Sequence, residues 1–118
     1  IAATATGSTA YALAAGGPIL PPELRNMLLL PIAPHLSLDR AVILAEGASV
    51  VLRARCDHEA VISVDGIDPV RLKENDAVRV TANQHSLKMV RFGEPNYFYH
   101  RLATLLHDNP ALKQNTND

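Results

Sequence analysis

Residues 41–66 read AVILAEGASVVLRARCDHEAVISVDG, and this stretch decides the fold class. Short runs rich in Val and Ile, namely AVIL, SVVLRAR and EAVISV, are separated by turn-forming residues, which predicts strands rather than helices. AEGA supplies the glycine of the first turn. Asp65-Gly66 closes the third run as a turn dipeptide, since Gly tolerates positive φ and Asp can bond its own backbone.

Downstream, DAVRVTA and SLKMVRF alternate apolar and polar residues and are joined by NQH. That pattern predicts a hairpin, apolar on one face and charged on the other. GEPN then breaks the sheet. YFYHRLATLLH carries Phe98, Leu102, Leu105 and Leu106 at helical spacing and predicts a closing amphipathic helix. The last ten residues, NPALKQNTND, are polar and expected to fray.

Upstream, NMLLLPIA is a continuous apolar run of strand length, suited to a strand buried on both faces. GGPILPPEL contains Pro18, Pro21 and Pro22, which excludes regular structure there. Ile1–Ala3 reads as the end of a strand. Thr6 or Ser8 is expected to cap a short helix, STAYALAA, that Gly16-Gly17 and Pro18 terminate. The expectation is a mostly β fold of about six or seven strands, with one short helix near the start and one at the end. All 118 residues are expected to form one domain.

Composition narrows the function classes. The chain is 47% hydrophobic with a net charge of −1 and scattered basic residues, which gives no reason to expect nucleic acid or an acidic membrane as partner. Its longest apolar runs, such as MLLLPIA, are too short to span a bilayer. A single cysteine, Cys56, excludes an internal disulfide and fits a reducing, cytoplasmic compartment. No signal-peptide pattern is present. With no Trp, the core must be built from Leu, Ile, Val and Ala.

The residues that could carry chemistry begin with TATGSTAY, residues 4–11. A strand feeding Thr-x-Thr-Gly-Ser-Thr and then a helix offers backbone N–H groups and several hydroxyls, a surface able to hold a phosphate, a ribose hydroxyl or a base edge. A capped helix start explains the same residues without a ligand. The spacing matches neither a Walker loop nor a Rossmann fingerprint. His35 stands alone beside proline and reads as structural, hydrogen-bonded to a loop backbone. His100 and His107 lie seven apart on the closing helix, where metal pairs favour three or four, so no metal site is expected. Cys56 has Arg55, Asp57 and His58 as neighbours, but adjacent strand residues point to opposite faces. Arg40 is expected to pair with Asp39 or to buttress a loop.

TATGSTAYALAAGGPILPP, followed by LLLPIAPHLSLDRAVIL, closely resembles the signature of the C-terminal domain of NAD kinases. Later, ISVDG and FYHRLATLLHDN resemble that family's Asp-Gly turn and closing helix. The resemblance implies a β-sandwich-like, NAD-binding domain of an enzyme that phosphorylates the adenosine-ribose 2′-hydroxyl of NAD to give NADP. ATP or polyphosphate, with Mg²⁺ or another divalent metal, would be the donor. It further implies that Thr6, Thr9 and Tyr11 lie around the adenine and ribose, and that Ala10 meets the nicotinamide end by its backbone. Asp65 and Gly66 are candidates of second rank. A homodimer or homotetramer is implied too.

Departures from the family pattern accompany the match. Ala5 replaces the usual Pro, Ala12 and Ala14 replace typical serines, Leu30 stands where Thr is usual, and Ala41 follows Arg40 in place of Pro. The family's Gly-Gly-Asp-Gly-Thr loop, whose Asp acts as general base on the 2′-hydroxyl, does not occur in this sequence, nor does its Asn-Glu/Asp pair. The opening on an apolar strand end, without leader or initiating Met, leads to the expectation of a longer parent with that loop in an upstream α/β domain. This chain alone is therefore expected to hold no catalytic residue and to be inactive. Two other readings stay open: the matching domain of a diacylglycerol- or sphingosine-type lipid kinase, and a non-catalytic NAD(P)-sensing module.

Overall fold

The computed structural model describes residues 1–35, 39–90, 92–94 and 96–107, with the side chain of Leu106 outside the described set. The chain divides into two compact units, Ile1–Gln84 and a second that begins at His85. Seven strands and two α-helices stand among the described residues, so the mostly β expectation holds.

The first unit opens on a three-stranded antiparallel sheet of β1 (Ala2–Thr4), β2 (Met27–Leu29) and β3 (Val42–Leu44). The uninterrupted apolar run places β2 in the middle. Its two faces cannot both be solvated, and Met27 and Leu28 are buried, Leu28 completely. The β1–β2 ladder continues one step further, since the Leu30 amide donates to the Ile1 carbonyl (2.8 Å) and the Ile1 nitrogen donates to the Leu30 carbonyl (2.7 Å).

Between β1 and β2 the chain makes a 3₁₀ turn over Thr6–Thr9 and a single helical turn, α1 (Tyr11–Ala14). The predicted stop is formed as read. The Gly17 amide reaches the Ala12 carbonyl (2.8 Å), the Gly16 amide reaches the Leu13 carbonyl (3.0 Å), and Gly16 has φ +83°. This is a Schellman closure, which needs a left-handed residue at that point. The predicted start is not formed. Neither Thr6 nor Ser8 caps a helix, because Ala5 and Ala10 occupy the N-cap positions without side-chain bonds. Ser8 is instead turned inward, and four residues of 3₁₀ take the place of the expected first α-turn. Ala5, Ala12, Leu20, Leu28 and Leu30 form the core, with Ile1, Ala3, Ala15 and Ala41 packed against it.

The remaining strands pair in twos. In one sheet β4 (Ser49–Arg53) runs antiparallel to β7 (Ala77–Thr81), with Val50 opposite Val80 and Leu52 opposite Val78. In the other, β5 (Ala60–Ile62) and β6 (Val70–Leu72) form a hairpin arm with Ala60 opposite Leu72. Beyond β5 lies the predicted Asp65-Gly66 turn, with φ +50° and +75° and the Ile67 amide on the Val64 carbonyl (2.9 Å). Both central residues being left-handed makes it a type I′ turn.

The hairpin predicted from DAVRVTA and SLKMVRF is overturned. β7 pairs with β4, and residues 85–90 form no strand. Alternation assigns faces to a strand but not a partner, and the Val and Leu residues opposite β7 are supplied from 49–53.

In the second unit α2 (Tyr97–His107) has the bounds read from the sequence. Phe98 and Leu102 are half-buried, whereas Leu105 is 60% exposed, so the apolar stripe is covered on its first turns and not at that position. His100 and His107 are exposed. The residues expected to fray, 109–118, lie outside the described set.

Candidate functional site

A groove of about 400 Å³ opens in the first unit. One wall is the end of the α1 turn, from Tyr11 through Ala14 and Ala15 to Gly16. The facing wall is the chain leaving β2, Leu30 through Pro34, and the strip Asp39–Ala41 completes it. Local chemistry explains both walls. The Schellman closure ends the helix at the groove, and the two prolines, Pro31 and Pro34, stop β2 from continuing. Ala33 stands between them at φ +45°, a left-handed conformation that costs a non-glycine residue about 1–2 kcal/mol.

Most of the lining residues are apolar in type, although backbone and the Asp39 and Arg40 side chains make much of the exposed lining surface polar. Tyr11 is the outstanding group, 67% exposed at the groove although it is one of few aromatics in the chain. Asp39 and Arg40 pair with each other across 3.4 Å with both side chains largely exposed, the pairing expected for Arg40. Their charges cancel locally, so the lining carries no net charge. Such a surface accepts a flat, uncharged ring more readily than a phosphate. Tyr11 would offer its face, and Asp39 and Arg40 an acceptor and donors at the edge.

The predicted site residues separate into three groups. Tyr11 lines the groove. Thr6, Thr9 and Ala10 sit on the turn that leads into Tyr11, and all three are exposed. Asp65 and Gly66 are exposed in the turn beyond β5 and are not among the lining residues. The expected row of open amides at the loop is partly closed. The amides of Gly7, Ser8 and Ala10 are spent on Thr4 Oγ1 (3.3 Å), the Ala5 carbonyl (3.2 Å) and the Gly7 carbonyl (3.1 Å). Thr9 Oγ1 donates to the Thr6 carbonyl (3.1 Å) and keeps its lone pairs for a ligand.

The family departures separate as clearly. Ala5 and Ala12 are buried in the core, out of reach of any ligand, while Ala14 is exposed and lines the groove. Leu30 is buried at the groove's base. His35, next to the lining Pro34, is exposed, and the hydrogen bond expected of it is not made with any described residue. Cys56 is a half-buried free thiol. What sequence reasoning missed is the second wall. Its signal was present in the Pro31–Pro34 punctuation and in the Asp39-Arg40 pair, but only tertiary packing brings these to Tyr11.

With the loop, the Gly-Gly stop and the proline-bounded wall in place, comparison with known proteins is direct. Residues 1–92 match the ATP-NAD kinase C-terminal domain family. The chain belongs to this family. It is 38% identical over 109 residues to an NAD kinase of Dehalococcoides mccartyi, an alignment covering 92% of this chain and 38% of that protein. It is 44% identical over 106 residues to an NAD kinase of Chloroflexus aurantiacus, covering 90% and 38% respectively. An NAD kinase of Fusobacterium nucleatum is 41% identical over 99 residues, covering 83% and 37%. The chain thus spans well under half the length of these relatives. None of them supports the lipid-kinase reading.

Among the described residues no group of three or more His, Cys, Asp or Glu could hold a metal ion. The donor set for Mg²⁺ is therefore not met by these residues. No helix among the described residues is long and apolar enough to cross a membrane.

Proposed function

We propose that this chain is the NAD-binding domain of an NAD kinase. The whole protein would transfer a phosphoryl group from ATP or polyphosphate to the adenosine-ribose 2′-hydroxyl of NAD. The observation that carries the reading is Tyr11, a solvent-facing aromatic at the lip of a groove of no net charge, preceded by exposed Thr6, Thr9 and Ala10. Stacking of a nucleobase on such a ring is worth about 1–3 kcal/mol. Ligand pockets commonly run to about 300–1,000 Å³, so a groove of about 400 Å³ suits one ring end of a dinucleotide rather than all of it.

Thr6 and Thr9 would serve ribose hydroxyls, and the Ala10 backbone the other end of the ligand. Asp65 and Gly66 would have to approach from the turn beyond β5. The phosphoryl donor, its divalent metal and the general base belong to the remainder of the protein. A cytoplasmic homodimer or homotetramer with a sandwich-like arrangement of the small sheets completes the proposal, supported by family membership alone.

The test uses the full-length parent with Mg²⁺, ATP and NAD, following NADP with an NADP-specific dehydrogenase and running diacylglycerol alongside. NADP should form, and Tyr11→Ala should raise the KM for NAD by about tenfold or more, the loss expected when a base–aromatic stack is removed. Tight NAD binding without NADP would replace the kinase reading with a sensor. Phosphorylated lipid without NADP would overturn it.

A further inference from the structure

Ser8 is the one buried polar side chain among the described residues, with no exposed surface at all. Its hydroxyl makes two bonds. It donates to the Ala5 carbonyl at 2.6 Å and accepts from the Leu20 amide at 2.9 Å, twelve residues away. The first bond is local to the 3₁₀ turn. The second crosses to the connection between α1 and β2, which is poor in donors because Pro18, Pro21 and Pro22 carry no amide hydrogen. Leu20, Ala5 and Ala12 are all core residues, so the hydroxyl lies where the turn, the helix and the connection meet.

Removing the oxygen would be asymmetric in effect. The Ala5 carbonyl also accepts from the Ser8 amide (3.2 Å) and would remain satisfied. The Leu20 amide would lose its acceptor inside the core, where water cannot readily replace it. Three residues after Ser8 the same turn presents Tyr11 to the groove.

We propose that Ser8 is a positioning residue: its hydroxyl holds the Thr6–Thr9 turn against the Leu20 backbone and so sets where Thr9 and Ala10 stand on the approach to the groove and where Tyr11 stands at its lip. The bearing on ligand binding rests on the groove being the dinucleotide site. The positioning itself does not.

Two measurements on the full-length parent separate these. In hydrogen exchange followed by mass spectrometry, Ser8→Ala should speed exchange in peptides covering residues 5–24 by about tenfold beyond any change elsewhere, the ratio expected for one lost buried bond. Ser8→Thr, which keeps the hydroxyl, should restore most of that protection. Val80→Ala in β7 serves as a control that lowers stability without touching the groove. In wild type, should Ser8→Ala fail to fold, the Leu20 amide should still exchange as slowly as that of fully buried Leu28. Uniform acceleration across the protein, or fast exchange at Leu20 in wild type, overturns the proposal.

In steady-state kinetics Ser8→Ala should raise the KM for NAD about tenfold while kcat and the KM for ATP stay within about twofold, the pattern of lost ground-state binding. An unchanged KM for NAD, or a fall in kcat alone that Val80→Ala reproduces, overturns the link from Ser8 to the groove. A parent that forms no NADP at all would sink the kinase reading, and exchange would still decide the role of Ser8.

Discussion

The segment up to Leu30 and the strands that follow draw on the same small set of aliphatic residues, yet they end in different states. Every buried residue among those described lies between Ala5 and Leu30. From Pro31 onward no described residue is fully buried. In the first region two different shapes meet, a sheet and a turn-plus-helix, and Leu28 is covered from both sides. In the second, β4 with β7 and β5 with β6 are two-stranded, and Val61, Val64, Ile67 and Val70 remain largely exposed. A two-stranded ladder orders its backbone without enclosing its side chains, and such pairs are marginal by themselves. The difference teaches that aliphatic content does not make a core. Layering does, and the Tyr11 wall of the candidate site stands on the layered part, while its facing wall is built from the chain just beyond Leu30.

Three substitutions in the parent protein, followed by chemical denaturation, would break or sharpen this contrast. Leu28→Ala should be the most damaging, costing about 3–4 kcal/mol, since the site is fully enclosed and cannot collapse without disturbing both neighbouring strands. Gly17→Ala comes next at about 2–3 kcal/mol. A Cβ there would stand 2.8 Å from the Ala12 carbonyl oxygen and 3.2 Å from Leu30 Cδ2, and neither can retreat freely. Val80→Ala should cost no more than about 1 kcal/mol, because its side chain is not fully enclosed and loses only two methyl groups from a two-stranded ladder. If Val80→Ala proved as costly as Leu28→Ala, the two regions would be equally well packed and the contrast would fail.

Much of this was legible in the sequence where the controlling interactions are local. The bounds of α2, the Gly16 stop, the central β2 and the Asp65-Gly66 turn all follow from residues a few positions apart. Tyr11 was legible for the same reason, since the loop that presents it is a contiguous motif. What escaped depends on distant partners. The β4–β7 ladder joins segments more than twenty residues apart, and strand alternation is indifferent to which partner is chosen. Ser8 looked like a cap because a hydroxyl beside a helix start usually is one. Its true acceptor and donor include an amide twelve residues away, which no local rule can supply. The Asp39–Ala41 strip of the groove was hidden likewise.

The two adjacent glycines that close α1 deserve separate treatment in any mutational survey. Gly16 has open space where a Cβ would go and is constrained only by its left-handed backbone, so asparagine or aspartate should be the least damaging replacements there. Gly17 has the opposite profile. Its φ is not left-handed, but the volume beside it is already occupied by the Ala12 carbonyl and by Leu30. Each added atom there makes matters worse. Two identical letters in a row thus encode different grammars, one of torsion and one of volume, and their tolerated alphabets should hardly overlap.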